Sequence, residues 1–402
     1  MLDVLRHVHA HPHITRAELA RDLRLSRSSA SEITGRLRTL DLVVEADPAP
    51  TGGRGRPTRA LGPAPGGPVV AAVDISYESW RLAIGSLGGA LAMLDGGPHH
   101  GRAAGQVLAQ VGAALAAAGD LLGDRLRGVG IAVPASVGNG RLVQASSLGW
   151  RDVDVIDLLS LPAALPVLVG NDATLAGLAE ARRGAAVGAS VALHITVEVG
   201  IGGVLLDRGQ PMVGSTGSGG EFGHLPFGDP GQRCPCGARG CWDVDADARA
   251  LVRHAGRRPA RNPRTAAAAV LASAAGRAGV TEPAARVAVE RVAGSLGRGL
   301  AGLVNALDPE VVTLSGLAVD LLGVAGRVVE DAYRAGLMRF RRRAAPPLLA
   351  ARFPADGSLR GAAELTFDRV LSDAGLDAWQ AAHASPRTRP RIRQGPTEED
   401  MR

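Results

Sequence analysis

Apolar and polar positions alternate in two rhythms along this chain, and the change of rhythm divides it. Across residues 14–46 the spacing is helical: Leu19, Leu23 and Leu25 fall on one side of a short helix and its turn. Ile33, Leu37 and Leu40 recur along a second helix, which Ser26 is placed to cap. Leu42-Val43-Val44 then begins a strand, and residues 47–68, dense in Pro and Gly, read as a wing plus linker. From Val69 to about Leu376, short apolar runs bounded by Gly, Pro or Asp alternate with Ala-rich helical stretches. Strands are expected at Val69–Asp74, Val129–Val133, Pro166–Val169, Val191–Val197 and Val311–Leu314. Helices are expected at Gln106–Leu122, Ala173–Arg183 and Pro283–Leu307, the last opening with the cap residue Thr281 and Pro283 in its first turn. This alternation predicts an α/β architecture, and its length favours two lobes with a cleft between them.

The expected organisation is a winged helix-turn-helix over residues 1–62, a linker over 63–68, a two-lobed domain over 69–380, and a disordered basic tail over 381–402. Composition changes little in that picture. Of 402 residues, 46% are hydrophobic and 21% charged, the balance of a globular rather than a disordered chain. No run of eighteen unbroken apolar residues occurs and the N-terminus does not read as a signal sequence, so no membrane span and a cytoplasmic location are expected. The net charge is +6, and arginine supplies all 45 basic residues. With so much Ala and Gly, this reads as the codon bias of a GC-rich genome, so the placement of the arginines matters more than their number.

That placement favours double-stranded DNA. Arg27, Ser28, Ser29 and Ser31 lie at the start of the second helix, where side chains reach base edges or phosphates. Arg54 and Arg56, in Gly-Gly-Arg-Gly-Arg-Pro, can enter a narrow minor groove. A protein-binding helical pair with a basic linker is the alternative. Charge alone does not reject it, since residues 1–60 hold ten Arg against seven Asp and Glu. The capped helix, the strand and the wing together favour an operator. His7, His9, His11 and His13 alternate, but a helix running into a turn scatters them over different faces, so they read as an ordinary first helix and loop.

The three cysteines, Cys234, Cys236 and Cys241, fall within eight residues, and His224 precedes them. A Cys3His set suits a closed tetrahedral zinc site of the structural kind, and Gly237 and Gly240 allow the turns that bring three thiolates together. Three free buried thiols would leave the histidine and the glycines unexplained.

The run Gly219-Gly220-Glu221-Phe222-Gly223-His224, followed by Cys234-Pro235-Cys236-Gly237-Ala238-Arg239-Gly240-Cys241, closely resembles the signature of the ROK family of repressors, open reading frames and kinases. Asn171-Asp172-Ala173 resembles the family's substrate-site Asn-Asp, and the N-terminal module with its Arg-Gly-Arg-Pro wing is similar to the repressor branch, which includes xylose and N-acetylglucosamine repressors. The resemblance implies an actin-like, two-lobed sugar-kinase fold with the ligand between the lobes. It implies that Asn171 and Asp172 bond sugar hydroxyls, with Asp172 in the position of a general base in kinase members. Glu221 would take ring hydroxyls and His224 would serve both zinc and sugar. Asp243 stands where a glutamate contacting sugar is usual, and Ser147 where an asparagine is common, which leaves the identity of the ligand open. Carboxylates and amides suit the paired hydroxyls of a carbohydrate. Simpler readings are a helix cap for Asp172 and an exposed loop acid for Glu221.

Kinase members carry an Asp-x-Gly-Gly-Thr loop; here it reads Asp74-Ile75-Ser76-Tyr77-Glu78. The second phosphate loop, usually Gly-Thr-Gly-Ile-Gly, reads Glu198-Val199-Gly200-Ile201-Gly202. Two carboxylates at a polyphosphate site oppose phosphoryl transfer, which depends on stabilising negative charge. The expectation is therefore a non-enzymatic, sugar-responsive, DNA-binding transcriptional regulator, a repressor and a homo-oligomer, with structural zinc and a degenerate ATP site. An active sugar kinase with a DNA-binding module, and a constitutive DNA-binding regulator with no sugar ligand, are the other two readings.

Overall fold

Two side-chain caps build the N-terminal module of the computed structural model, which describes residues 1–46, 59–99, 101–138, 141–145, 147–277 and 282–384. Thr15 Oγ1 accepts from the Glu18 N–H at 3.2 Å and the Glu18 carboxylate accepts from the Thr15 N–H at 2.9 Å, a reciprocal box that opens the helix Arg16–Asp22. Ser26 Oγ accepts from the Ser29 N–H at 3.0 Å and opens the helix Arg27–Thr39. With the helix Leu2–Ala10 and an antiparallel sheet of Ile14–Thr15, Ala60–Pro63 and Val43–Ala46, these make a winged helix-turn-helix. The expected groove-binding Arg54 and Arg56, the cap residue Thr281 and residues 385–402 lie outside the described residues.

Each lobe of the remaining chain is laid on a five-stranded sheet. The first runs in the order Val167–Asn171, Leu126–Val133, Val69–Ile75, Ser79–Ser86, Leu91–Pro98, its first three strands parallel. The second runs Gln210–Pro211, Gly200–Asp207, Val191–Glu198, Val311–Gly316, Leu348–Ala350. Pro166, expected to start a strand, has no N–H; its carbonyl instead accepts from the Val129 N–H at 2.8 Å and the strand begins one residue later. The helix Ala104–Leu122 is part of a segment long and apolar enough by length and composition to cross a membrane. Its Val107, Leu108, Val111 and Leu115 are buried in the core of the first lobe, so the same apolarity serves as a core face.

The helices Asp172–Arg183 and Gly357–Val370 pack on one another between the sheets. Their approach depends on Gly361, where a Cβ would stand 1.8 Å from the Leu175 carbonyl oxygen.

The DNA-binding module shares a core with the first lobe. Val4, Leu5, Val8, Leu19 and Leu37 belong to the same apolar cluster as Leu175, Leu178, Leu359, Phe367 and Trp379. Residues 63–68, read from sequence as a linker, are held down: Arg125 donates to the Pro65 and Gly67 carbonyls at 2.7 and 3.1 Å. The tail expectation needs one correction. The helix Asp373–Ala384 extends four residues into the segment expected to be disordered, because Trp379 buries its ring against the module and donates Nε1–H to the Leu40 carbonyl at 2.8 Å.

Candidate functional site

Between the lobes lies a cavity of about 590 Å³. Lobe one lines it with the ends of its parallel strands, and lobe two with the loops after Glu198 and after Gly219. Loops at the ends of parallel strands are where open α/β sheets place ligands.

Asn171, Asp172, Glu221, His224 and Asp243 all line this cavity, as does Ser147. Asn171 ends a strand and caps the following helix: its Oδ1 accepts from the Thr174 N–H at 3.0 Å and its Nδ2 donates to the Ala135 carbonyl at 3.3 Å. The cap expected of Asp172 is therefore Asn171's. Asp172 occupies the first turn, where its Oδ1 accepts from the Ala173 N–H at 2.9 Å. Burial, with the Asp74 charge adding to it, pushes the Asp172 carboxyl up to about 7. Glu221 Oε1 accepts from Ser136 Oγ at 2.5 Å, joining the lobes across the cavity mouth. Asp243 is buried and its Oδ1 accepts from the Ile201 N–H at 2.6 Å; burial, then the Asp247 charge, raises it to about 6.

The four predicted metal ligands converge. The ligand atoms of His224, Cys234, Cys236 and Cys241 all lie within 4.8 Å of one another. Cys236 Sγ is 3.7 Å from Cys241 Sγ, and Cys234 Sγ is 3.7 Å from His224 Nδ1. Tetrahedral bonds of about 2.3 Å to sulfur and about 2.0–2.1 Å to nitrogen demand ligand separations of roughly 3.5–3.8 Å, so the donor set fits zinc. Burial and the neighbouring thiols push the Cys241 thiol up to about 12, and burial raises that of Cys234. Such closely packed thiols ionise together only around a cation. His224 offers Nδ1 to this cluster while its Nε2 lies 3.8 Å from Glu221 Oε2, so one ring faces both the metal set and the cavity.

The two acidic loop residues behave differently from bare charge replacements. Glu78 Oε1 accepts from the Arg264 N–H at 3.1 Å and its Oε2 from Thr265 Oγ1 at 3.2 Å, so lobe one caps the first turn of the helix Pro263–Ala274 in lobe two. The Arg264 guanidinium lies 2.8 Å from Glu198 and also pairs with Asp320. Burial pushes the Glu198 carboxyl up to about 7, against the opposing pull of Arg264. Asp74 is likewise engaged, by Arg81 and by Ser358 Oγ, each at 2.8 Å.

At the other end of the molecule, Arg27, Ser28 and Ser31 are exposed on the first turns of their helix. Ser29 is half-buried, and its hydroxyl, like that of Ser28, lies against the cap Ser26 Oγ, at 2.9 and 2.8 Å. Sequence reasoning missed three groups. Arg264 and Asp320 carry no motif. His9, taken as an unremarkable helix residue, is buried against Glu364 and Arg183; the consecutive Arg182 and Arg183 at a helix end were the available signal. Glu180, wholly buried, also went unnoticed. Its carboxylate accepts from the Arg352 and Phe353 N–H groups at 3.0 and 2.9 Å and so fixes the segment that runs along the cavity wall.

Residues 103–369 match the ROK family, and residues 2–55 match the MarR family. The chain is 33% identical to a glucokinase of Halalkalibacterium halodurans over 202 residues, which are 48% of this chain and 61% of the glucokinase. It is 31% identical to a xylose repressor of Bacillus spizizenii over 129 residues, 32% of this chain and 34% of the repressor. The aligned stretch thus spans less than two thirds of either relative. Among solved structures, a ROK family transcriptional regulator described as a homolog of the E. coli MLC protein superposes with a TM-score of 0.71. That match covers 94% of this chain and 97% of its own at 21% identity, a likeness of fold. The architecture is a MarR-type winged helix-turn-helix followed by an actin-like, two-lobed sugar-kinase fold.

Proposed function

The chain belongs to the ROK family, and we propose that within it the chain is a transcriptional regulator, a repressor, that binds an operator through its N-terminal module and a sugar or sugar-like ligand in its cleft. The observation that carries this reading is the union of a DNA-binding module with a sugar-kinase fold around one continuous core. A kinase gains nothing from such a module. A regulator requires that the ligand-binding and DNA-binding parts move as one body. Two copies would present two recognition helices to the two halves of an operator.

In this reading Glu221 and Asp172 are the acceptors for ligand hydroxyls, with Asn171 placing Asp172 by capping its helix. Asp243 acts on the ligand through Ile201 and His224. His224, Cys234, Cys236 and Cys241 hold structural zinc, which supplies no reaction; it ties the ends of the loop that presents Glu221. Arg27, Ser28 and Ser31 face the DNA, with Arg54 and Arg56 reaching the minor groove from the wing.

The glucokinase relatives and the near-neutral Asp172 carboxyl favour a second reading, phosphoryl transfer with Asp172 as general base. Against it stand Glu78 and Glu198 in the phosphate half of the cleft. The cations there are already committed, Arg264 to Glu198 and Asp320, and Arg81 to Asp74. A polyphosphate would have to displace these pairs while facing the added carboxylates.

The deciding experiment is binding of the purified full chain to DNA from upstream of its own gene, with and without a panel of monosaccharides, alongside an ATP-turnover assay. Operator binding that one sugar weakens, with no turnover, is the expected result. Sugar-dependent ATP hydrolysis lost in Asp172→Asn would overturn it. Glu221→Ala should retain operator binding and lose the sugar response.

A further inference from the structure

Two packed helices connect the cavity with the DNA-binding module. Asp172–Arg183 opens at the cavity with Asp172, and Gly357–Val370 opens there with Gly357 and Ser358. Twelve helical residues are about 18 Å long, so the first helix crosses much of the lobe in a single rigid element. In their later turns both helices send charged side chains to one residue of the module, His9.

Arg183 Nε donates to Glu364 Oε1, and Glu364 Oε2 lies 3.3 Å from His9 Nε2. Arg183 Nη2 stands 2.9 Å from the same ring nitrogen and donates to the His9 carbonyl at 3.0 Å. Arg183 Nη1 donates to the Gly88 carbonyl at 3.1 Å, and the Gly88 N–H donates to His9 Nδ1, also at 3.1 Å. The His9 ring packs on Phe367 with centroids 4.8 Å apart, and Arg6 Nε donates to the Leu371 carbonyl at 2.9 Å. Glu364 and His9 are 4% and 7% exposed, which makes these directional bonds costly to leave unmade. Burial alone would raise the Glu364 carboxyl; the His9 hydrogen bond and the Arg183 charge hold it down at about 2.

Apolar contacts alone tolerate sliding. A buried fork of charge-assisted hydrogen bonds does not, because each bond is lost within a small displacement. The geometry points to Arg183 and Glu364 as the relay by which occupancy of the cleft reaches the DNA-binding module: they bind the helix Leu2–Ala10 to the two helices that begin at Asp172 and Gly357, so that closure of the lobes carries the module with it. This rests on the regulator reading, and it locates that reading's coupling energy in a named junction.

The test uses the full-length chain, its upstream DNA, and glucose and xylose as probes. Operator affinity and thermal stability are measured with and without each sugar in wild type, Arg183→Gln and Glu364→Gln. In wild type the active sugar should change operator affinity by about fivefold or more, the scale of ordinary allosteric coupling. The variants should still bind operator and still show the sugar-dependent rise in melting temperature, while the sugar's effect on operator affinity falls below about twofold. Variants that respond as fully as wild type overturn the relay and leave the regulator reading standing. A wild-type protein that binds operator but ignores both sugars counts against both, and is told apart because it is read without any substitution. If loss of the buried charge prevents folding, Arg183→Lys keeps the charge without the fork; it should fold and still respond weakly, and a full response would again overturn the relay.

Discussion

Ser136 on one lobe donates a 2.5 Å hydrogen bond to Glu221 on the other, and the receiving carboxylate is the one proposed to take sugar hydroxyls. The two lobes are therefore tied across the cavity by a group the proposed ligand needs. A hydrogen bond to a carboxylate contributes about 1.5–3 kcal/mol when sheltered and less at an exposed mouth such as this. Ser136→Ala should therefore tighten sugar binding by about three- to tenfold, measured by titration calorimetry. Weaker binding would mean that the Ser136 hydroxyl itself contacts the ligand.

The metal prediction follows from the thiols. Burial raises the thiols of Cys234 and Cys241, and both converge with Cys236 and His224 on a set that fits one cation, so elemental analysis should find one zinc per chain. Cys241→Ser should cost about 4 kcal/mol or more in denaturant unfolding. Chelation should lower the melting temperature and weaken sugar binding together, since the zinc loop presents Glu221. A protein purified free of zinc with unchanged stability would remove the metal from this account.

Stability should fall as the pH rises towards neutrality. The Asp172 carboxyl stands at about 7, above its ordinary 3.8, because burial and the Asp74 charge penalise its ionised form. A group with a raised folded value stabilises fully below its unfolded value and loses that contribution as pH climbs to the folded one, here between about 4 and 7. Replacing it by Asn should remove its share of this decline, of the order of 3 kcal/mol across the window, and leave the shares of Glu198 and Asp243, which are raised in the same way; chemical denaturation at pH 4.5 and 7.5 would measure it. Equal stability changes at both pH values would show that Asp172 does not hold this proton.

On the DNA-binding side, Arg27 is exposed in the first turn of its helix and Ser26 is that helix's cap. Arg27→Ala should weaken operator and random DNA alike and lower the slope of log affinity against log salt by about 1, the signature of one lost phosphate contact. Loss of affinity for operator alone would instead assign Arg27 to base reading. Ser26→Ala should cost about 1 kcal/mol of stability without changing that slope.

Much of this molecule was legible because its signals are local. The zinc set lies between His224 and Cys241, and coordination chemistry names its residue types. Ser26 announces its helix by a bond three residues long, and the strand at Val191–Glu198 is a stretch rich in Val, Ile and Thr that needed no partner to be recognised. Asn171 and Asp172 were legible as a pair, but their division of labour was not. Which carboxamide or carboxylate turns back to cap the helix depends on the Ala135 carbonyl, brought beside Asn171 by a neighbouring strand.

Partners distant in sequence decided the rest. Glu78 and Glu198 read as charges out of place until folding supplied the Arg264 N–H and guanidinium. His9 read as one of four alternating histidines until folding set it beside Glu364, 355 residues away. No periodicity reports such pairings, because a buried charge is satisfied by whatever group chain closure delivers to it. The amino-acid pattern determined what the two ends of this molecule are made to hold; only the tertiary structure decided that they are joined, through side chains whose meaning exists only in each other's presence.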